Sequence, residues 1–267
     1  MKIAVLSDIH GNLPALKVVM EDIAKQKADE IYSLGDQVGL FPGLGEALDL
    51  LDEFNVICLQ GNFEEPINDP MQNSGGITKW IAEQKGDRDF NALPRARRIE
   101  REGVDIIMSH KEEWAKCPEG GLHLFGHTHE SYFHRGRNGC RLNPGSVCAP
   151  VGISNHPETR YALLEITGGV INITYRALAY PVGSIWQDFV DSGCYGLNPY
   201  LSRLIMEMLY TGESTALIGE FFKHARGIMQ KEGLETKGIP PYPHEVWMRT
   251  AEVFPWRLPN RFERLLG

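Results

Sequence analysis

The sequence predicts an α/β fold in which sheets stack in layers. Three observations carry that prediction. Short apolar runs alternate with helix-length stretches over residues 2–59, the pattern of parallel strands joined by helices. Strand-like runs then recur at shorter spacing between residues 97 and 177, which calls for hairpins and a second sheet packed on the first. After Tyr180 the patterning turns helical, so a C-terminal helical extension follows.

In order, Lys2–Ser7 reads as a buried strand. Leu13–Lys27 reads as a helix with an apolar stripe at Leu13, Leu16, Val19, Met20 and Ile23, and Pro14 suits its first turn. Glu30–Leu34 is a second strand, Leu44–Phe54 a second helix and Val56–Leu59 a third strand. Two or three helical stretches occupy Gly75–Ala92. Arg97–Glu100, Asp105–Ser109 and Leu122–Phe125 read as strands, and Ser131–Gly136, Gly139–Leu142, Arg160–Ile166 and Val170–Ala177 as hairpin partners. Beyond Tyr180, Ile185–Val190, Leu197–Tyr210 and Ser214–Gln230 are helical. Gly238–Pro243 is a rigid connector, and His244–Phe254 a last helix before a Pro-interrupted tail. The organisation predicted is therefore a layered α/β domain over residues 1–180 and a helical extension over 181–267 that caps a cleft or forms a homodimer contact.

A chain of 267 residues with 42 % hydrophobic residues can build a large core without disulfides. The net charge of −8 argues against a stable nucleic-acid complex, which needs a basic surface. It leaves room for a phosphorylated substrate, because bound metal reverses the local sign. Residues 181–267 hold 9 basic and 10 acidic side chains, leaving 18 basic and 25 acidic on residues 1–180, so the acidity sits with the predicted catalytic part. No uncharged apolar run is long enough to cross a membrane, and Met1–Leu6 is too short for a secretory leader. Five cysteines (Cys58, Cys117, Cys140, Cys148 and Cys194) lack CxxC spacing, which predicts free thiols and a cytoplasmic chain.

Five short blocks carry chemistry, and each follows an apolar run that reads as a strand. They are Asp8-Ile9-His10, Gly35-Asp36, Gly61-Asn62, Ser109-His110 and Gly126-His127-Thr128-His129. Alternation along a strand puts residues two apart on one side, so Asp8 and His10 point to one place. Asp36 is suited to bridge two cations, Asn62 offers a neutral carbonyl oxygen, and His110, His127 and His129 offer imidazoles. The expected division gives Asp8, His10, Asp36 and His129 to one ion, and Asp36, Asn62, His110 and His127 to the other. Two divalent cations against two carboxylates leave a net charge of about +2, which favours a phosphoryl oxyanion. Such cations lower the pKa of bound water from about 15.7 towards roughly 7. Asp36, Asn62 and His110 are also the candidate catalytic residues. Gly11, Gly35, Gly39, Gly61 and Gly126 flank these blocks, where the backbone turns sharply, and the turn Asn143-Pro144-Gly145-Ser146 is a candidate support for the rim.

These blocks resemble the calcineurin-like metallophosphoesterase superfamily, whose pattern is DxH, GDxxG, GN followed by a variable position and an acid, a lone His, and GHxH. Here it reads Asp8-Ile9-His10, Gly35-Asp36-Gln37-Val38-Gly39, Gly61-Asn62-Phe63-Glu64, His110 and Gly126-His127-Thr128-His129. The resemblance covers about residues 1–180 and lies nearest the small bacterial and archaeal phosphodiesterase-like group. It implies a four-layer α/β/β/α sandwich and a dinuclear centre holding Mn foremost, with Fe, Zn, Ni or Mg as alternatives. It implies in-line attack by a metal-bridging hydroxide on a phosphoester or phosphoanhydride, the substrate being a small phosphodiester, nucleotide or other phosphorylated compound. Protein phosphatase activity of the serine/threonine type, diadenosine polyphosphate hydrolysis and metal-retaining scaffold behaviour are the alternatives. One position departs from the family. Many members carry His after the Asn, whereas this chain carries Phe63, which cannot donate a proton. Loss of a general acid typically forfeits about 10²–10⁴-fold in rate, least for leaving groups that are already stable. The departure therefore favours aryl esters, activated diesters or anhydrides, with Phe63 available to stack on an aryl group or base. Glu64 is read as structural or as a proton source acting through water.

Among the remaining candidates, Lys111 is a possible substrate contact, and Asn12 and Glu65 are possible partners of the ligands, with Asn12 also suited to cap the following helix. His123 reads as structural. Arg95, Arg97, Arg98 and Arg101 read as a solvated strand edge. Trp186, Tyr195, Tyr200, Phe221, Phe222 and Trp247 have helical spacing and read as core.

Overall fold

Ten strands and their connecting helices arrange as two stacked mixed sheets in a computed structural model that describes residues 1–39, 41–67, 76–150, 158–212, 214–233 and 243–266. In chain order the elements are β1 (Lys2–Leu6), α1 (Leu13–Gln26), β2 (Glu30–Ser33), α2 (Leu44–Glu53), β3 (Ile57–Cys58), α3 (Glu64–Ile67), α4 (Gly76–Gln84), β4 (Ala96–Arg101), β5 (Val104–Ser109), β6 (Gly121–Leu124), β7 (Ser131–Gly136), β8 (Gly139–Pro144), β9 (Glu158–Thr167) and β10 (Val170–Ala179). The extension adds α5 (Ile185–Asp191), α6 (Cys194–Leu197), α7 (Pro199–Thr211), α8 (Ser214–Lys231), α9 (His244–Val253) and α10 (Glu263–Leu266).

The first sheet has the order β10-β9-β1-β2-β3 and the second β4-β5-β6-β8-β7. β1, β2 and β3 run parallel, and so do β5, β6 and β8. Hairpins β9–β10 and β7–β8 and the pair β4–β5 are antiparallel. The parallel strands therefore send their carboxyl ends to one region, where an α/β sheet leaves a crevice.

Between the sheets lies an apolar core built from Ile3, Val5, Tyr32, Leu34, Ile106, Met108, Leu122, Leu124, Leu142 and Leu164. The opposite face of the first sheet joins a larger core. Ala4 and Leu6 of β1 meet Leu16, Val19, Met20 and Ile23 of α1, and Leu44, Leu48 and Leu51 of α2. That core runs on without a break into the extension through Val182, Ile185, Phe189, Leu201, Leu204, Phe221, Trp247 and Phe262. Trp186, Phe221 and Trp247 are buried, as their helical spacing predicts.

Several boundaries move for local reasons. Leu197–Tyr210 is two helices, because Asn198 accepts from the Leu201 amide and Pro199 starts a fresh turn, so α6 ends and α7 begins there. The strand expected at Val56–Leu59 pairs only over Ile57 and Cys58 before the chain leaves for the site. Gly75–Ala92 holds α4 and a 3₁₀ turn at Phe90–Ala92; Gly75 itself lies outside the described residues, as does most of the Gly238–Pro243 connector. Arg97, Arg98 and Arg101 lie on the edge strand β4, where Arg98 pairs with Asp105 and Arg101 with Glu30, while Arg95 precedes the strand and pairs with Glu65. All five cysteines are free. Among the described residues, no helix is long and apolar enough to cross a membrane.

Candidate metal centre

All seven side chains singled out in the sequence converge where the parallel strands end. Asp8 and His10 follow β1, Asp36 follows β2 and Asn62 follows β3. From the second sheet, His110 follows β5, while His127 and His129 follow β6. Asp8, His10 and His129 offer ligand atoms within 4.8 Å of one another, and so do Asp36, His110 and His127. The two groups adjoin: Asp36 Oδ2 is 3.2 Å from His110 Nε2 and 3.9 Å from His10 Nε2. Asn62 Oδ1 lies 3.0 Å from His110 Nε2.

The backbone reaches this arrangement through strained conformations. Asp8 (φ 55°), His10 (φ 52°), Asp36 (φ 54°), His127 (φ 70°) and His129 (φ 60°) are all left-handed, a region that costs a residue with a side chain about 1–2 kcal/mol. Cross-links between the loops hold them there. The amides of Ile9 and His10 both donate to Asp36 O at 2.9 Å, Gly126 N donates to His110 O at 2.9 Å, and Cys148 N donates to Asp8 O at 3.0 Å. Gly61 and Gly126 are obligatory for steric reasons. A Cβ on Gly61 would stand 2.2 Å from Asp36 N, and one on Gly126 would stand 1.9 Å from Ser7 Oγ and 2.9 Å from Asp8 Oδ2.

Glu64 organises the Asp36 and Gly61 loops. Its Oε2 accepts from Asp36 N (3.0 Å) and Gly61 N (2.6 Å), and its Oε1 from Val38 N (3.0 Å). Burial and the nearby Asp36 push its carboxyl up to about 7, against the pull of those amides and of His110. Both oxygens are committed and the side chain is fully buried, so Glu64 is not a proton source for a leaving group.

The test of whether these residues suit cations lies in their hydrogen bonds. Nδ1 of His10, His110 and His129 face the carbonyls of Val38 (3.1 Å), Leu34 (3.2 Å) and Ala149 (3.0 Å). A carbonyl accepts only, so each Nδ1 carries a proton and each ring, when neutral, presents its lone pair at Nε2. Those lone pairs aim inward: His10 Nε2 and His129 Nε2 are 3.3 Å apart, and Asp8 Oδ1, buried and without a hydrogen bond, is 3.3 Å from His129 Nε2. Converging acceptors with no donor between them repel unless a positive charge joins them, so the donor set fits divalent cations. The carboxylates favour positive charge here, either a proton on these imidazoles or a cation that displaces it. Burial by itself would lower the His110 and His129 imidazoles, but Asp36 lifts His110 to about 9 and Asp8 lifts His129. Burial would raise Asp8, yet His129, His110 and His10 hold it below the usual carboxylate range. His10 and the exposed His127 are lowered, chiefly by desolvation.

The lesser candidates fall differently. Phe63 stands at the centre, edge-on to His10 with ring centroids 4.8 Å apart, and its amide donates to Asp36 Oδ1 at 2.9 Å. Asn12 is a cap: Oδ1 accepts from Ala15 N, and Nδ2 donates to Cys148 O and Tyr180 Oη. Lys111 lies over the Trp114 ring, 5.6 Å from its centroid, instead of lining the cavity beside the ligands. Glu65 turns outward to Arg95. His123 is buried, with Nε2 2.8 Å from Ser109 Oγ, and is structural. The rim turn does support the site: Asn143 Nδ2 donates to Gly126 O at 2.7 Å, and Ser146 Oγ donates to Asp8 O at 2.9 Å. Tyr180, which braces Asn12 and Cys148 O, carries no sequence signal for that role.

Two stacked mixed sheets that gather carboxylates and imidazoles at their strand ends define a metal-binding phosphoesterase of the hydrolase class. The chain belongs to the calcineurin-like phosphoesterase superfamily, whose domain model matches residues 1–169. It is 30 % identical to the uncharacterised protein MJ0912 of Methanocaldococcus jannaschii, covering 54 % of this chain and 69 % of that one. It is 24 % identical to the phosphodiesterase MJ0936 of the same organism, covering 55 % and 85 %. Its fold matches a metallophosphoesterase from Sphaerobacter thermophilus with a TM-score of 0.62 at 21 % identity, covering 79 % of this chain and all (100 %) of that one. It also matches the protein PH1004 of Pyrococcus horikoshii with a TM-score of 0.64 at 20 % identity, covering 79 % and 98 %.

Proposed function

We propose that this chain is a dinuclear metal-dependent phosphodiesterase acting on small substrates. The observation that carries the reading is the set of Nε2 lone pairs and carboxylate oxygens converging from two adjoining groups, with Asp36 between them. Asp8, His10, Asp36 and His129 would hold one divalent cation, and Asp36, Asn62, His110 and His127 the other. Manganese is the first candidate, since nitrogen and oxygen ligands accept several borderline ions and availability selects among them. Bound divalent cations supply Lewis acidity and bring the pKa of water near neutrality.

The chain's own residues supply the remainder. The carbonyls of Val38, Leu34 and Ala149 lock three imidazole tautomers, so no ring has to turn before binding. Neutral His and Asn ligands leave the site's charge to its two carboxylates, which keeps a loaded site attractive to a phosphate. Phe63 offers no proton and Glu64 is tied down, so the leaving oxygen departs without a side-chain acid from this loop. That favours diesters with stable leaving groups over alkyl monoesters. Size is limited by α7 and α8, whose Ile205, Met208 and Ile218 stand across a cavity from His10, Asp36 and His129. The extension therefore serves as a cap, which favours a small substrate over a protein phosphatase's polypeptide.

The test is to strip the protein with chelator, reload it with Mn²⁺, count ions per chain by elemental analysis, and assay bis(p-nitrophenyl) phosphate. Two ions per chain and hydrolysis that Asp36→Asn reduces at least 10³-fold are the expected results. Full loading without turnover would instead establish the metal-retaining binding protein that Phe63 also favours. Failure to load would end both readings.

A further inference from the structure

The cavity beside the ligand groups has a volume of about 180 Å³. One wall is the ligand cluster. The rest is apolar: Phe41, Phe63, Cys148, Ile205, Met208 and Ile218. Ile205 and Met208 are three apart on α7 and so share a face, while Ile218 comes from the first turns of α8. Cys148 adds no charge, because burial holds its thiol well above the ordinary range.

Resting on the phosphoesterase reading above, we propose that this cavity is a specificity pocket for a compact uncharged aromatic ester group on phosphorus. The substrate class is then a monoanionic aryl phosphodiester, and polyphosphate anhydrides are excluded. Size is the first argument. An engineered apolar cavity of about 150 Å³ binds benzene, so a single ring against the apolar wall is the largest group this space takes once a phosphoryl group lies beside the ligands. Shape is the second: Phe63 stands edge-on to His10 at the boundary between ligands and apolar wall, where an aryl group would meet its ring in an edge or offset arrangement. Charge is the third and decides against anhydrides. Among the described residues lining the cavity there is no Lys or Arg, so a second phosphoryl group pushed into it would be desolvated and unpaired. Arg95 and Lys111 lie instead against Trp114, with Cζ and Nζ 5.3 Å and 5.6 Å from its ring centroid.

Binding to the Mn²⁺-supplemented protein, measured calorimetrically with diphenyl phosphate and dimethyl phosphate, tests this without requiring turnover. The two diesters carry the same charge and the same phosphoryl oxygens, so their ratio reads the ester groups, and the Ile218 variants assign it to the pocket. Diphenyl phosphate should bind at least 10-fold tighter than dimethyl phosphate. Ile218→Ser should cut that ratio to 3-fold or less. Ile218→Phe, which fills the pocket without adding polarity, should cut it as well, so a folding defect in one variant leaves the other to decide. Equal affinity for the two diesters, or no diester binding at all, would overturn the proposal. Hydrolysis of bis(p-nitrophenyl) phosphate is scored separately. An enzyme that turns over yet shows no aryl preference refutes the pocket alone, whereas aryl preference without turnover refutes the catalytic reading alone.

Discussion

Above about pH 8, where its carboxyl is ionised, replacing Glu64 by glutamine removes one negative charge and turns one acceptor into a donor at a place where three amides converge. In the native chain Oε2 takes Asp36 N and Gly61 N, and Oε1 takes Val38 N. The glutamine oxygen can keep two of these, but its NH₂ then faces the third N–H, donor against donor. One buried unsatisfied amide costs about 1–3 kcal/mol, and bonds to a charged acceptor are roughly twice as strong as neutral ones, so the upper half of that range applies. For a chain of this size each kcal/mol moves Tm by about 2–4 °C, which gives a fall of about 4–12 °C. The same loop carries Asp36 and borders Asn62, so Mn²⁺ affinity should drop about 10–100-fold. Differential scanning calorimetry and a metal titration read the two effects. Glu65→Gln is the control. Its side chain is 57 % exposed and, among the described residues, pairs with Arg95, so the change should alter stability by at most about 1 kcal/mol. If Glu64→Gln matched that control in both Tm and metal affinity, the view of Glu64 as the organiser of these loops would be wrong.

Gly126→Ala should weaken Mn²⁺ binding at least 10-fold, because its Cβ collides with Ser7 Oγ and crowds Asp8 Oδ2, whereas Gly227→Ala, within α8 and with nothing inside 4 Å, should raise stability by about 1 kcal/mol. A thermal shift and a metal titration on both variants separate steric from conformational effects; unchanged metal affinity in Gly126→Ala would contradict the first. His123 should steepen acid unfolding. Burial, then Arg141, lowers its imidazole to about 4 from 6.5, so the unfolded chain takes up a proton first and stability falls as pH drops from about 6.5 to about 4. At about 1.4 kcal/mol per pKa unit the loss approaches 3 kcal/mol, and His123→Gln should flatten that limb in urea titrations at stepped pH; an identical pH dependence would count against it. Phe63→His should accelerate phenyl diesters at least 10-fold more than p-nitrophenyl diesters, since only the poorer leaving group needs a proton. Equal gains on both would show that the missing acid is not what limits rate.

The chemistry of this protein was legible in its sequence because metal ligation demands particular side chains at strand ends, and strands announce themselves by short apolar runs. Asp8, His10, Asp36, Asn62, His110, His127 and His129 could be named from local pattern alone, as could the layered sheets that present them. Three things required the tertiary structure. Left-handed backbone at five of the seven ligands follows from cross-loop bonds such as Ile9 N and His10 N to Asp36 O, which join residues distant in sequence and have no local signature. What Glu64 and Lys111 touch was likewise beyond the sequence: the role of a carboxylate or an ammonium is settled by which amides or rings reach it, and Val38 and Trp114 reach these. The placement of Ile205, Met208 and Ile218 against the site could not be read from α7 and α8 either, because apolar periodicity states that a helix face is buried but not against what. Residue type sets the possible chemistry, and the packing of distant segments decides which groups meet.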